Sequence, residues 1–188
     1  MVSTYDIRDV QKLTHAELLE KRLSEEELST SKRFPVRVIL DDVRSLYNVG
    51  SIFRTCDAYR VEHLYLCGFT PAPPRAEIAK TALGADRTVP WTAIAKIEDA
   101  ISVCREAGHQ IYTLEIAHGS LSIHDVSSQN MPITIILGNE LVGVREQAIH
   151  LSDGILEIPM YGTKHSLNVA VSAGIVLDAV VSAYLRSR

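Results

Sequence analysis

Three strand-like apolar runs in this chain end in short segments of small and polar residues, and the chemistry can lie there. Asn48, Val49, Gly50, Ser51, Ile52, Phe53 and Arg54 follow the first run, and Leu137, Gly138, Asn139 and Glu140 close the second. The third, Leu156–Met160, passes through a polar turn into Ser166–Gly174. The segments are spread over more than 100 residues, so they describe one site assembled from distant pieces.

Each segment also has a plain structural reading. Asn48 stands between a strand and a helix, where an N-cap is its default role, with Gly50 and Ser51 in the first turn. Arg54 lies six residues on among Ile52, Phe53 and Ala58, and an arginine on an apolar helix needs a partner. Asp57 or Asp42 can pair with it, or it awaits an anion such as phosphate. Gly138–Gly143 has the outer glycines of a phosphate loop but lacks its Lys-Ser/Thr. What remains is a strand-to-helix turn suited to an adenine or ribose, with a carboxylate at Glu140. Ser166 can cap the last helix. Asn168, just inside that helix, is a poor helix former unless its amide has a task. A serine and an asparagine two apart can hold a hydroxyl. Lys164 and His165, in the turn before them, can touch a polyanion.

The elements that must position these residues alternate. Strands are expected at 37–41, 63–67, 110–114, 133–137 and 155–158, and helices at 49–59, 97–107, 144–150 and 167–186. That alternation predicts an α/β fold, a mostly parallel sheet covered by helices on both faces. Gly108 stands where the second helix should end, as a left-handed cap. Residues 1–35 are expected to form an N-terminal helical extension, with Thr14 and Glu17 at capping-box spacing, and 36–188 the main domain. Phe34 and Pro35 punctuate the entry to it. The last helix is apolar nearly all round and carries a stripe of Ala170, Gly174, Asp178 and Ser182. It needs cover on more than one side, from the monomer or from a second subunit.

At 188 residues the chain suits one α/β domain plus an arm, able to bury roughly two-thirds of its unfolded surface. A net charge of −4 argues against a nonspecific nucleic-acid binder. Cys56, Cys67 and Cys104 are odd in number, without a CxxC pair, which suggests reduced thiols in a cytoplasm rather than disulfides or zinc. Met1–Asp9 has no apolar core of a secretory signal, and no run of 18 apolar residues predicts a membrane span. The seven histidines have no ligand spacing, so no metal site is expected. No GxSxG elbow marks a serine hydrolase. No GxGxxG follows a strand, so a nucleotide-dependent oxidoreductase fits only the alternation.

Taken together and in order, Asn48–Arg54, Ile136–Glu140 with Gly143, and Ile158–Met160 through Ser166–Gly174 resemble the three motifs of the SpoU/TrmH branch of the SPOUT methyltransferases. The resemblance spans residues 36–186. It implies a C-terminal deep trefoil knot, a homodimer with the last helix at its interface, and S-adenosylmethionine held around Leu137, Gly138, Ile158, Met160 and Leu167. The implied reaction is methyl transfer to a ribose 2′-hydroxyl of RNA. Catalysis would fall to Arg54, with Asn48, Glu140, Ser166 and Asn168 arranging Arg54, the ribose and the methyl donor, and with Arg54 acting across the dimer.

Substrate is read from departures. The N-terminal arm of about 35 residues is short for the RNA-binding domain of many ribosomal-RNA members, so tRNA is favoured and rRNA is the alternative. A non-catalytic RNA-binding member of the same fold is a further alternative. Lys32, Arg33, Arg37 and Arg44 are read as one cluster at the arm–domain junction that can touch phosphates. Lys80–Ala85 and Val89–Trp91 lie between the first two motifs without an assigned role, beyond a possible place at the substrate entrance.

Overall fold

The computed structural model describes residues 10–188, apart from the side chains of Glu25 and Ser29. The reading of Met1–Asp9 lies outside the described residues. The chain divides into two compact units between Lys32 and Arg33. The first carries α1 (His15–Glu20) and α2 (Glu25–Thr30). Thr14 and Glu17 form the expected capping box, and Ser24 and Glu27 form a second one that splits the arm into two short helices.

The second unit opens on β1 (Phe34–Asp41), so Phe34 and Pro35 begin the strand rather than precede it. A proline is tolerated there because the pairing with the next strand is irregular between Phe34 and Arg37. The remaining strands are β2 (Val61–Cys67), β3 (Trp91–Ile94), β4 (Gln110–Leu114), β5 (Leu121–Ser122), β6 (Ile133–Leu137) and β7 (Gly154–Glu157). They form one seven-stranded sheet in the order β3-β2-β1-β6-β4-β7-β5, parallel throughout. Parallel strands need crossovers, and the helices that supply them are α3 (Leu46–Ala58), α4 (Ala76–Ala82), α5 (Ala85–Thr88), α6 (Ile97–Glu106) and α7 (Glu146–His150). α8 (Val169–Arg186) closes the chain.

Burial on both faces explains why β1 and β6 read as unbroken apolar runs. Side chains alternate across the sheet, so Val38 and Leu40 enter one core with Phe53 and Val176, while Ile39 enters the other with Ile97 and Ile136. Gly108 takes the expected left-handed conformation at the end of α6, with φ 82°. Lys80–Ala85 and Val89–Trp91, left without a role above, contribute packing through the buried Ala82, Ala85 and Val89. Thr81 donates to the Tyr47 carbonyl at 3.0 Å, and a Cβ on Gly50 would meet the Thr81 hydroxyl at 2.1 Å. The Trp91 ring stands edge-on against Phe53.

All three cysteines are free and buried. Burial, with Asp41 nearby, pushes the Cys67 thiol up to about 12.

α8 is long and apolar enough to cross a membrane by length and composition alone, with a mean hydropathy of 1.6 over its 18 residues. One face packs into the core through Ala173, Val176, Leu177 and Val180. The opposite face leaves Val171, Ile175 and Leu185 exposed, and a Cβ on Gly174 would meet nothing within 4 Å. Burial within this chain therefore covers only part of the helix.

Candidate active site at the carboxyl ends of the strands

β6 lies between β1 and β4, so the loops leaving these three strands emerge side by side at their carboxyl ends. In open parallel sheets, ligand sites form at this edge, where neighbouring crossovers run in opposite directions. Register makes the adjacency close: Leu40 stands opposite Leu137, and Thr113 opposite Ile136.

The loop after β6 is the centre of the site. Asn139 and Gly143 exchange two backbone hydrogen bonds of 3.0 Å, which pinch Gly138–Gly143 into a tight turn. The Asn139 side chain locks it further, accepting from the N–H groups of Leu141 and Val142 and donating to the Asp42 carbonyl at 2.7 Å. Gly143 has φ 72°, a left-handed conformation that favours glycine. A Cβ on Gly138 would come within 2.3 Å of the backbone of Gly143 and Val144.

Glu140 reaches from this turn to the start of α3. Its carboxylate accepts from Arg44 N–H (3.0 Å), Ser45 N–H (3.1 Å) and the Asn48 amide (2.9 Å). Burial would raise its pKa, but these hydrogen bonds outweigh burial and hold it below the usual carboxylate range. Its negative charge also suits a helix N-terminus. Asn48 is therefore not the N-cap, because the helix starts three residues earlier than expected and Ser45 caps it through Asn48 N–H. Freed from capping, the Asn48 side-chain Oδ1 accepts from the Asn168 side-chain amide at 3.1 Å. Asn168 is itself the N-cap of α8, accepting from Ala170 and Val171 N–H, so the cap is not Ser166 and Asn168 lies just outside the helix. Glu140, Asn48 and Asn168 thus form one continuous row.

A cleft of about 650 Å³ opens beside this row, within the roughly 300–1,000 Å³ typical of small-molecule sites. Leu137, Gly138, Ile158, Met160 and Leu167 all line it, as do Ser166, His165 and Glu140. Its walls combine apolar side chains with two further carboxylates, Glu115 and Glu157.

Arg54 does not join the row. Six residues beyond Asn48, it sits ~9 Å along the axis and about 120° around the helix. It is exposed, and among the described residues it has no hydrogen-bond or ion-pair partner. The structural alternatives are taken: Asp57 accepts from Thr88, and Asp42 accepts from Phe69 N–H and lies 3.6 Å from Arg145. The expected basic cluster is divided as well. Arg33 donates to the Val61 and Thr88 carbonyls and Arg37 pairs with Glu62, all near the start of β1, whereas Arg44 lies beyond its other end. The eight-residue strand puts Arg33 ~26 Å from Arg44, with Arg37 in its first half.

Other supporting residues escaped the sequence reading. Asp41, fully buried at the end of β1, accepts from Arg145 through N–H (3.0 Å), Nε (2.7 Å) and Nη2. A charged residue closing an apolar strand signals that it needs a partner, but the partner is 104 residues away. Glu115 accepts from Val144 N–H at 3.2 Å and backs the turn at Gly143.

Glu140 gives the site a pH signature. Its folded pKa is depressed, so the stability it contributes is complete above the ordinary carboxylate pKa near 4.5 and is lost as pH falls through the lower folded value. Glu140→Gln should therefore lower the melting temperature at neutral pH, and the gap from wild type should close in acid. A gap independent of pH would contradict this.

The profile described as the SpoU rRNA Methylase family matches residues 35–178. A tRNA (guanosine(18)-2′-O)-methyltransferase of Aquifex aeolicus is 32% identical over 164 residues, covering 85% of this chain and 75% of the relative. A 23S rRNA (guanosine-2′-O-)-methyltransferase, RlmB of Neisseria meningitidis, is 32% identical over 77% of the chain, which spans 57% of that relative. Among solved structures, the A. aeolicus TrmH/SpoU tRNA modifying enzyme superposes with a TM-score of 0.77 at 26% identity, over 87% of this chain and 82% of that one. An AdoMet-bound rRNA methyltransferase from Sinorhizobium meliloti gives 0.73 at 30% identity, over 79% and 56%.

Proposed function

The chain belongs to the SpoU rRNA methylase family, and from that premise we propose that it transfers a methyl group from S-adenosylmethionine to a ribose 2′-hydroxyl of RNA, with tRNA the favoured substrate and rRNA the second. The observation that carries the reading is the meeting of the Glu140–Asn48–Asn168 row with a cleft lined by the five residues expected at the cofactor. The tRNA preference rests on the A. aeolicus relative, matched over 75% of its length.

The cleft suits the cofactor. Leu137, Ile158, Met160 and Leu167 give apolar walls for an adenine, while Glu115 and Glu157 complement a cation. S-adenosylmethionine, when bound, supplies an electrophilic methyl group on a sulfonium. The chain's own task is to present the ribose hydroxyl in line and to stabilise charge as its proton passes to solvent. Glu140, held as an anion by three N–H donors, is a poor base near neutral pH; it orients Asn48, and through it Asn168. Ser166 on the cleft wall holds the ribose. A guanidinium does not give up its proton in proteins, so Arg54 stabilises the developing alkoxide and binds the adjacent phosphate rather than acting as a base.

The assembly belongs to the same proposal. Val171 and Ile175, exposed beside the stripe of Ala170, Gly174, Asp178 and Ser182, line a groove of about 500 Å³ that a second copy of α8 would cover. Arg54, turned away from its own row, would then serve the partner's site. A deep trefoil knot is supported by the path after β7. β7 lies beyond β4 and β6, yet α8 returns to α3, where Tyr59 donates to Asp178 at 3.1 Å, so the chain must pass the loop after β6. Three free, buried cysteines favour a reducing, cytoplasmic setting.

Radiolabelled S-adenosylmethionine offered with tRNA and with rRNA, each free of modifications, tests the reading. Label is expected in tRNA. Label confined to rRNA would establish the second substrate, and label in neither would contradict the proposal.

A further inference from the structure

The turn that leaves β2 holds an aromatic ring with nothing to bury it. Phe69 is 87% exposed, yet its backbone is clamped. Its N–H donates to the Asp42 carboxylate at 2.7 Å. The next residue, Thr70, donates to the Leu40 carbonyl and accepts from Val43 N–H through one buried hydroxyl. Gly68, with φ 62°, lets the turn approach so closely that a Cβ would stand 2.0 Å from the Asp42 carboxylate. A scattered apolar side chain on a protein surface needs no explanation. A phenyl ring held outward by a turn fixed to two strand ends is a different case, because the fold gains no packing from it.

The same clamp ties Phe69 to the active site. The Asp42 carbonyl accepts from Asn139, and two residues later Arg44 N–H donates to Glu140. The Arg44 side chain is exposed and has no hydrogen-bond or ion-pair partner among the described residues. Tyr47, in the first turn of α3, is half exposed. Exposed aromatic rings and a guanidinium on segments tied together in this way are the composition that receives unpaired nucleotides: bases stack on the rings and a cation takes the phosphate. In a chain of net charge −4, a local device of this kind matters more, since bulk charge does not attract RNA.

We propose that Phe69 is a stacking platform for an unpaired base of the RNA substrate flanking the target nucleotide, with Arg44 on the adjoining phosphate. The proposal rests on the RNA methyltransferase reading above. Phe69→Ala should raise the KM for RNA on the order of 10-fold or more, given what base–aromatic stacking contributes. Its melting temperature and S-adenosylmethionine affinity should match wild type. Phe69→Trp should behave as wild type, whereas Phe69→Leu, apolar but unable to stack, should behave as Phe69→Ala. Independently of turnover, the added indole in Phe69→Trp should be quenched saturably by a single-stranded oligoribonucleotide, beyond the Trp91 signal of wild type. Full RNA affinity in Phe69→Leu, or loss of dimers in Phe69→Ala, would overturn the proposal and assign the ring to a protein contact. If wild type methylates no RNA, the functional reading fails, and the quenching experiment alone still decides whether the ring stacks on bases.

Discussion

Arg54→Ala is expected to lower methyl transfer by about 10²- to 10³-fold, the usual cost of deleting one donor that stabilises transition-state charge. Folding and cofactor affinity should be unaffected, because the side chain is exposed, has no partner among the described residues and does not line the cleft. Arg54→Lys should recover only part of the rate, since an ammonium keeps the charge and loses the fork that grips hydroxyl and phosphate together. Single-turnover transfer with saturating cofactor separates these effects. A variant as fast as wild type would remove Arg54 from the chemistry. Mixed dimers decide where it acts. Arg54→Ala combined with a chain that cannot hold the cofactor regains one working site only if the arginine crosses the interface, and none if it acts within its own chain.

Gly138→Ala provides that second chain and is the other large effect expected. The added methyl would lie 2.3 Å from the backbone of Gly143 and Val144. Neither can retreat easily, because Asn139 and Gly143 are bonded to each other and Val144 N–H is held by Glu115. Overpacking of this kind costs about 1–3 kcal/mol, or ~2–4 °C of melting temperature per kcal/mol at this chain length. The larger loss should be cofactor affinity, read by calorimetry, because the displaced turn forms one wall of the cleft. Gly143→Ala should be milder. Its methyl would meet the Glu115 carboxylate, the far end of a flexible side chain, although the positive φ still costs about 1 kcal/mol. Equal cofactor affinity in wild type and Gly138→Ala would contradict this placement of the site.

The parts of the fold legible in the sequence were those with a strong local cause. β4 and β6 match their expected bounds because both are apolar runs bounded by turn residues, and α6 starts at Ile97 as its periodicity requires. β3 and β5 were missed for the opposite reason: β3 is a four-residue edge strand with exposed Thr92 and Ala93, and β5 is two residues long. α4 and α5 were hidden by their shortness. The caps failed instructively. Ser45 and Asn48 are both good N-caps, as are Ser166 and Asn168, and local preference cannot choose within either pair. The choice is made by Glu140, which takes the Asn48 amide from 92 residues away. That contact exists because β6 inserts beside β1, a pairing no spacing encodes. The Asp41–Arg145 pair follows from the same strand order, and the division of the basic cluster from the length of β1.

Alkaline hydrolysis of RNA labelled by the protein tests the central claim most directly. Alkali cleaves RNA by attack of the 2′-hydroxyl on the adjacent phosphate, so a 2′-O-methyl group leaves its phosphodiester uncut. The account predicts that the transferred label survives in an alkali-resistant dinucleotide. Label recovered in mononucleotides would place the methyl group on a base and contradict it.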